Sequence, residues 1–219
     1  MTSPSTGRAR TAEPFRRAAT VVIVTSIAAF ILYTAWVAFA SAFSNDDFPE
    51  ALAVKVELLP LVFPIHMITG GLALILLPLA IALRRKPKWH RPLGRIAAID
   101  VLVAGATAYP VAWAAPVTFW SAMGFSAQAT TWLTLLALGI WNIRRRRYAA
   151  HWTCMLLMTA TAMGAVFFRI YLGLFAMLGP SRWFDTFYAG DAWVAWLVPL
   201  AVTGAVLARR KKLPMLDFA

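Results

Sequence analysis

The sequence predicts an all-α, polytopic membrane protein with six transmembrane helices. Three observations carry that prediction: the composition, the number of long apolar runs and the placement of the basic residues. Of 219 residues, 61% are hydrophobic and only 14% are charged. A soluble domain holds about 45–50% apolar and about 25% charged residues, so this chain cannot clothe a water-facing surface. The net charge of +12 would suit a nucleic-acid partner, but the basic residues sit in short clusters between apolar runs, with no continuous stripe. No nucleic acid is expected; the expected surroundings are a lipid bilayer.

Crossing the hydrocarbon takes about 20 apolar residues in a helix. Six runs qualify, near residues 19–42, 59–83, 93–116, 122–143, 151–177 and 191–208. Each must be helical, because lipid offers backbone groups no partners and no run alternates like a barrel strand. The first run follows Arg16 and Arg17 and ends on the small residues Ala38, Ala40, Ser41 and Ala42, in outline a cleavable leader. It is longer than the ~7–15 residues of a leader core and holds Tyr33 and Trp36, so it is expected to stay as a span. The second to fifth runs carry the polar residues and are expected to form the core bundle, with the first and last peripheral. Residues 1–17 read as a disordered basic tail, 18–208 as one transmembrane domain and 209–219 as a second basic tail.

The charges give the orientation. Arg8, Arg10, Arg16 and Arg17 precede the first run. Arg84, Arg85, Lys86, Lys88, Arg91 and Arg95 link the second to the third. Arg144 to Arg147 link the fourth to the fifth, and Arg209 to Lys212 follow the sixth. These segments hold 18 of the 21 basic residues, and with six spans all lie on one side. The other side carries Lys55 and Arg182 among the acids Asp46, Asp47, Glu50, Glu57, Asp185 and Asp191. Basic segments stay cytoplasmic, so the expectation is a bacterial inner-membrane protein with both ends in the cytoplasm.

Ionisable groups inside a bilayer are costly and mark function. His66, Tyr109, Gln128 and Arg169 lie on the second to fifth spans, all roughly 10–12 Å below the acidic-side surface at 1.5 Å per residue. They form a candidate ligand-binding layer. The plainer alternatives are that Arg169 snorkels to headgroups and that Gln128 and Tyr109 bond across helices. Gly70 and Gly71, one turn after His66, permit close approach of a helix or a flat ligand. His151 and Arg169 are 18 residues apart, five turns, and share a face of the fifth span. A second cluster lies at the basic edge. There His90 and His151 open helices, and Asp100, about two turns into the third span, is placed to accept a hydrogen bond from a histidine or an arginine. Trp89, Trp141, Tyr148 and Trp152 at that level suit an interfacial belt. Pro92 suits an early helical position. Cys154, the single cysteine, reads as a small packing residue. No Gly-rich phosphate loop, HExxH or Gly-x-Ser-x-Gly occurs, and three scattered histidines do not make a zinc set.

"HMITGG" at His66, "HRPLGR" at His90 and the segment from His151 to Arg169 together resemble DUF2306, an uncharacterised family of bacterial membrane proteins. The resemblance covers roughly residues 60–175. It implies a multi-helix membrane protein with these histidines and this arginine as its signature positions, and it implies no activity.

Two functional classes follow from the residues. One is a redox bundle. Haem b needs axial ligands on both sides of its ring, and His90 and His151 are the two histidines at similar depth. A quinone needs polar groups around its oxygens, which His66, Tyr109, Gln128 and Arg169 supply. The other is a non-enzymatic carrier or binding protein for a small anionic or lipidic molecule, or an assembly scaffold in which the polar layer fixes helix packing.

Overall fold

The computed structural model describes the backbone of residues 7–43 and 50–210 and the side chains of residues 18–43 and 54–210. Among these residues the chain is helical with no strand. Helix α1 spans Gly7–Phe43, the short α2 Glu50–Leu58, α3 Val62–Ala82, α4 Pro87–Trp113 and α5 Phe119–Arg144. The fifth span is two helices, α6 (Tyr148–Ala162) and α7 (Gly164–Leu178); a 3-10 turn, Ser181–Trp183, leads into α8 (Phe184–Arg209). Six segments are long and apolar enough to cross a membrane. Helix α1 reaches back into the segment expected to be a disordered tail, while residues 1–6 and 211–219 lie outside the described residues. So do the side chains of Arg8, Arg10, Arg16, Arg17, Asp46, Asp47, Glu50, Lys211 and Lys212, on which part of the charge argument rests.

Local chemistry sets the boundaries. Helix α4 starts earlier than hydropathy suggests because Pro87, not Pro92, takes an opening position, where a missing N–H costs nothing. Helix α5 opens with a capping box in which Thr118 and Ser121 each accept from the other's backbone N–H. It closes with a Schellman motif: Arg147 N–H donates to Asn142 O and Arg146 N–H to Ile143 O, with Arg146 at φ 60°. The short α2 was not foreseen. It buries Lys55, whose ammonium donates to the carbonyls of Val111 (3.0 Å) and Ala114 at the end of α4. A cation there meets the negative end of the helix dipole.

The fifth span breaks at Met163. Thr159 and Thr161 hydroxyls donate back to Met155 O and Leu157 O, bonds that bend helices, and Gly164 follows with its low helical propensity. The straight face expected between His151 and Arg169 is therefore interrupted.

The main core joins α3 (Ala73, Leu77), α4 (Ala97, Val101), α5 (Leu135, Leu136) and α6 (Leu157, Met158), with Leu207 of α8 packed among them, so the second to fifth spans form the central bundle and the last span joins its edge. Neighbours in the chain pack on one another, and α3 touches α6 to close the ring. Helix α1 packs outside on α3. The last span is less peripheral than expected. It lies against α5, α6 and α7 and buries Asp191, Ala192, Ala195, Trp196 and Leu207.

Candidate functional site

The bundle holds two polar clusters, one near each end. The first lies at the face with the basic links. His90, in the first turn of α4, directs Nδ1 at Ala80 O in the last turn of α3, 3.0 Å away. His151, in the first turn of α6, directs Nδ1 at Gly139 O on α5, 2.9 Å away. A carbonyl only accepts, so each ring carries a proton on Nδ1, and in the neutral ring the lone pair is on Nε2. The two imidazoles lie within electrostatic reach of one another. Gly94, one turn after His90, has open space where a side chain would stand.

Arginines frame this pair. The Arg84 guanidinium lies 4.8 Å from the Trp152 ring centre, and Arg145 and Arg147 lie 4.2 and 5.3 Å from that of Trp141. These tryptophans therefore act as platforms for cations. Trp89 and Tyr148 are exposed, as an interfacial belt requires. Asp100 departs from expectation. It is buried on α4, but its Oδ2 has no hydrogen-bonding partner, and both histidines have committed Nδ1 to carbonyls.

The second cluster lies toward the opposite face. His66 on α3 directs Nδ1 at Ala104 O (3.1 Å) and Thr107 Oγ1 (3.2 Å) on α4. Thr107 donates its own hydroxyl proton to Val103 O at 2.8 Å, so its oxygen accepts from His66. This ring too carries a proton on Nδ1, with the lone pair of the neutral ring on Nε2. Arg169 on α7 lies within electrostatic reach of His66, as the shared depth suggested. Its one hydrogen bond among the described residues is from Nη1 to Ala165 O at 3.0 Å, one turn back in its own helix. The Tyr33 and Tyr188 phenols flank the guanidinium, and no carboxylate pairs with it among the described residues. Beside it the rings of Phe125, Phe168 and Tyr188 pack edge to face, 5.2 to 6.1 Å apart.

The other residues of the layer go elsewhere. The Tyr109 hydroxyl bonds to Thr130 Oγ1 at 2.8 Å, tying α4 to α5. Gln128 donates to Thr161 O at 3.0 Å, supporting the break in the fifth span. A β-carbon on Gly71 would meet Phe39 and Ala35 of α1 at 2.9 and 3.2 Å, so Gly71 serves helix packing. Gly70 has nothing within 4 Å. Cys154 is fully buried.

Sequence reading missed two residues. Thr107 is one of many small polar residues in α4, and only the His66 contact marks it out. Asp191 was placed at the membrane surface, since hydropathy starts the sixth span there. Because α8 begins at Phe184, Asp191 lies seven residues in, about 10 Å deep at 1.5 Å per residue. It is buried with both oxygens unpartnered and interacts electrostatically with Tyr188. A shallow recess lined by Leu172, Phe175, Ala176, Gly179, Ser181 and Phe184 contains none of these groups.

Fold and site together define a polytopic, all-helical membrane protein with intramembrane polar clusters. The chain belongs to the DUF2306 family, described as a predicted membrane protein, whose profile matches residues 63–207. That match covers all three histidines, Asp100, Arg169 and Asp191. No curated protein and no solved structure is matched by the chain.

Proposed function

We propose that this protein is a haem-carrying electron-transfer component of the bacterial cytoplasmic membrane, with His90 and His151 as the residues that would hold one b-type haem. The observation that carries the reading is the shared preparation of the two rings. Each comes from a different helix, each gives Nδ1–H to a backbone carbonyl, and the two rings interact electrostatically with one another. Metal-binding histidines are held in this way, because the carbonyl fixes the tautomer and aims the other nitrogen. Haem iron takes one such nitrogen on each side of its ring. The open space beside Gly94 leaves room for a flat group, and Arg84 on Trp152 is a cation at the same end of the bundle, of the kind haem carboxylates need as partners. The group, when bound, supplies one-electron chemistry. The protein supplies the ligand nitrogens and the cations.

Orientation follows from the charges. With 18 of 21 basic residues on one side, the basic links and both ends face the cytoplasm, and the haem lies near the cytoplasmic surface.

The test is spectroscopic. Protein purified from cells supplied with haem should show a Soret band and a sharpened band on reduction. His90→Ala and His151→Ala should each abolish the six-coordinate spectrum, while His66→Ala retains it. A colourless protein that gives no Soret shift when titrated with haemin overturns the proposal.

A further inference from the structure

The cluster at the opposite end is left unused by a haem at His90 and His151. Its chemistry has two unmet halves. Arg169 holds a guanidinium inside a membrane span, gives one hydrogen bond to its own helix and has no carboxylate partner among the described residues. A cation so placed is stable only with acceptors around it. His66 is the converse. Its Nδ1 proton is committed to Ala104 O and Thr107, so Nε2 offers a lone pair and awaits a donor. The two groups lie within electrostatic reach of each other. What completes the site therefore brings an oxygen that accepts from arginine and a hydroxyl that donates to imidazole.

The space beside them is shaped by Gly70. Side chains on a helix lean toward its N-terminus, so a side chain at position 70 would cover the turn that carries His66. Glycine leaves that surface bare, and nothing else fills it within 4 Å. Gly71 beside it is packed tightly on α1, so the opening is confined to one face. Arg169 interacts electrostatically with the Tyr33 and Tyr188 phenols, and the Tyr188 ring packs in turn on the Phe125–Phe168 pair. Tyr33 is also exposed on the lipid-facing side of α1, which places the site within reach of a molecule dissolved in the bilayer.

We propose that His66, Gly70, Thr107 and Arg169 form a binding site for the head group of a lipid-soluble quinol, with one ring hydroxyl donating to His66 Nε2 and a ring oxygen accepting from Arg169. A phosphodiester group accepts from Arg169 but carries no proton of its own for His66. A quinol supplies both, on a flat ring that fits against a glycine surface. The inference is independent of the haem, since it uses no residue of the other cluster.

The experiment measures binding in detergent, by quenching of tryptophan fluorescence, of three probes: a decyl-substituted benzoquinol, its dimethyl ether and dodecyl phosphate. The quinol should bind, and the ether, which lacks the donating hydrogens, should bind about tenfold more weakly or worse, because a buried hydrogen bond to a charged or imidazole group is worth on the order of 1.4 kcal/mol. Arg169→Gln and His66→Phe should each weaken quinol binding by at least about tenfold. Gly70→Leu should block it while leaving the melting temperature near wild type, since the added side chain enters open space. Dodecyl phosphate binding as well as the quinol, with the ether unaffected, overturns the proposal in favour of an anionic lipid site. Absence of binding by all three probes, or quinol binding that survives Gly70→Leu, overturns it outright. The haem spectrum is read in the same samples, so failure of one reading is distinguishable from failure of the other.

Discussion

Replacing Gly164 by alanine tests how the fifth span is held in its broken form. An ideal β-carbon at this position lies 2.6 Å from Gln128 Nε2, 2.6 Å from Trp196 Cβ and 3.1 Å from Trp196 Cα. The last of these is backbone, so α8 must move away or α7 must shift. Overpacking of this kind costs about 1–3 kcal/mol. The shift also disturbs the bond from Gln128 to Thr161 O, an interhelical hydrogen bond worth about 0.6 kcal/mol on average within membranes. Removing a glycine from a helix interior returns up to ~1 kcal/mol, but Gly164 opens α7, where that gain is small. The net expectation is a loss of about 1–3 kcal/mol. Reversible unfolding in mixed detergent–SDS micelles reads it directly. Because both changes strike one contact, Gly164→Ala and Gln128→Ala should be non-additive by at least about 0.5 kcal/mol in a double-mutant cycle. A neutral or stabilising Gly164→Ala, or strict additivity with Gln128→Ala, would refute this account of the break. Gln128→Ala should also leave quinol binding unchanged, because its amide is spent on Thr161 O.

Three further outcomes are expected. Arg146→Gly should stabilise the protein by about 1 kcal/mol in the same unfolding assay, since Arg146 stands at φ 60° in the Schellman position that glycine fills without strain; a loss of stability would show that its side chain matters more than its backbone. Burial lowers the Lys55 ammonium from its usual value of 10.5, so the unfolded chain holds this proton at pH values where the folded protein has lost it. Stability should therefore rise with pH between the folded value and 10.5, the penalty being fully present below that window, and Lys55→Met should remove this component of the pH dependence. Asp191→Asn should leave the melting temperature unchanged or raise it, because neither carboxylate oxygen has a partner to lose; a large destabilisation would reveal one.

The architecture was legible because a bilayer enforces it. A long apolar run must be a helix, and the basic clusters at alternate links permit only an even number of crossings. The number of spans follows from those two facts, and the central role of the second to fifth from the polar residues they carry. Boundaries were legible only where local chemistry announces them. Hydropathy starts the last span at Asp191, but the helix begins at Phe184 because the aromatic residues that follow pay for helix formation by packing on α7, as Phe187 does on Phe175 with ring centres 4.2 Å apart. The break at Met163 was hidden, since threonine back-bonding and one glycine leave no mark in an apolar average.

Depth was legible as well, and direction was not. His66 and Arg169 were placed together from counts along their helices, and so were His90 and His151. Tyr109 and Gln128 share that depth with His66, yet depth says nothing about rotation around the helix. Thr107 faces His66, while Tyr109, two residues on, is rotated about 200° by the helical pitch of 100° per residue and meets Thr130 on α5 instead. A single sequence holds no record of which neighbour each face meets, and only the packing of α3 and α5 on either side of α4 supplies it.

One device recurs at both ends of the bundle. All three histidines give Nδ1–H to a backbone carbonyl of an adjacent helix. Two of those carbonyls, Ala104 O and Gly139 O, lie inside helical ladders and need no additional donor, whereas Ala80 O is in the last turn of α3, where His90 supplies a donor that the helix lacks. A helix pair that required only a staple would be served by threonine or glutamine, as the Tyr109–Thr130 and Gln128–Thr161 bonds demonstrate in this same molecule. Imidazole adds something those groups lack, a second nitrogen whose lone pair is aimed by the first bond. Three such nitrogens occur, two on rings that interact electrostatically with one another and one beside an arginine without a carboxylate partner among the described residues. The pair suits a group that takes a donor on each side, and the single nitrogen with its arginine suits a group that brings one donor and one acceptor. On the proposed reading, the same ring, held in the same way, would support different chemistry at the two ends because of what stands opposite it.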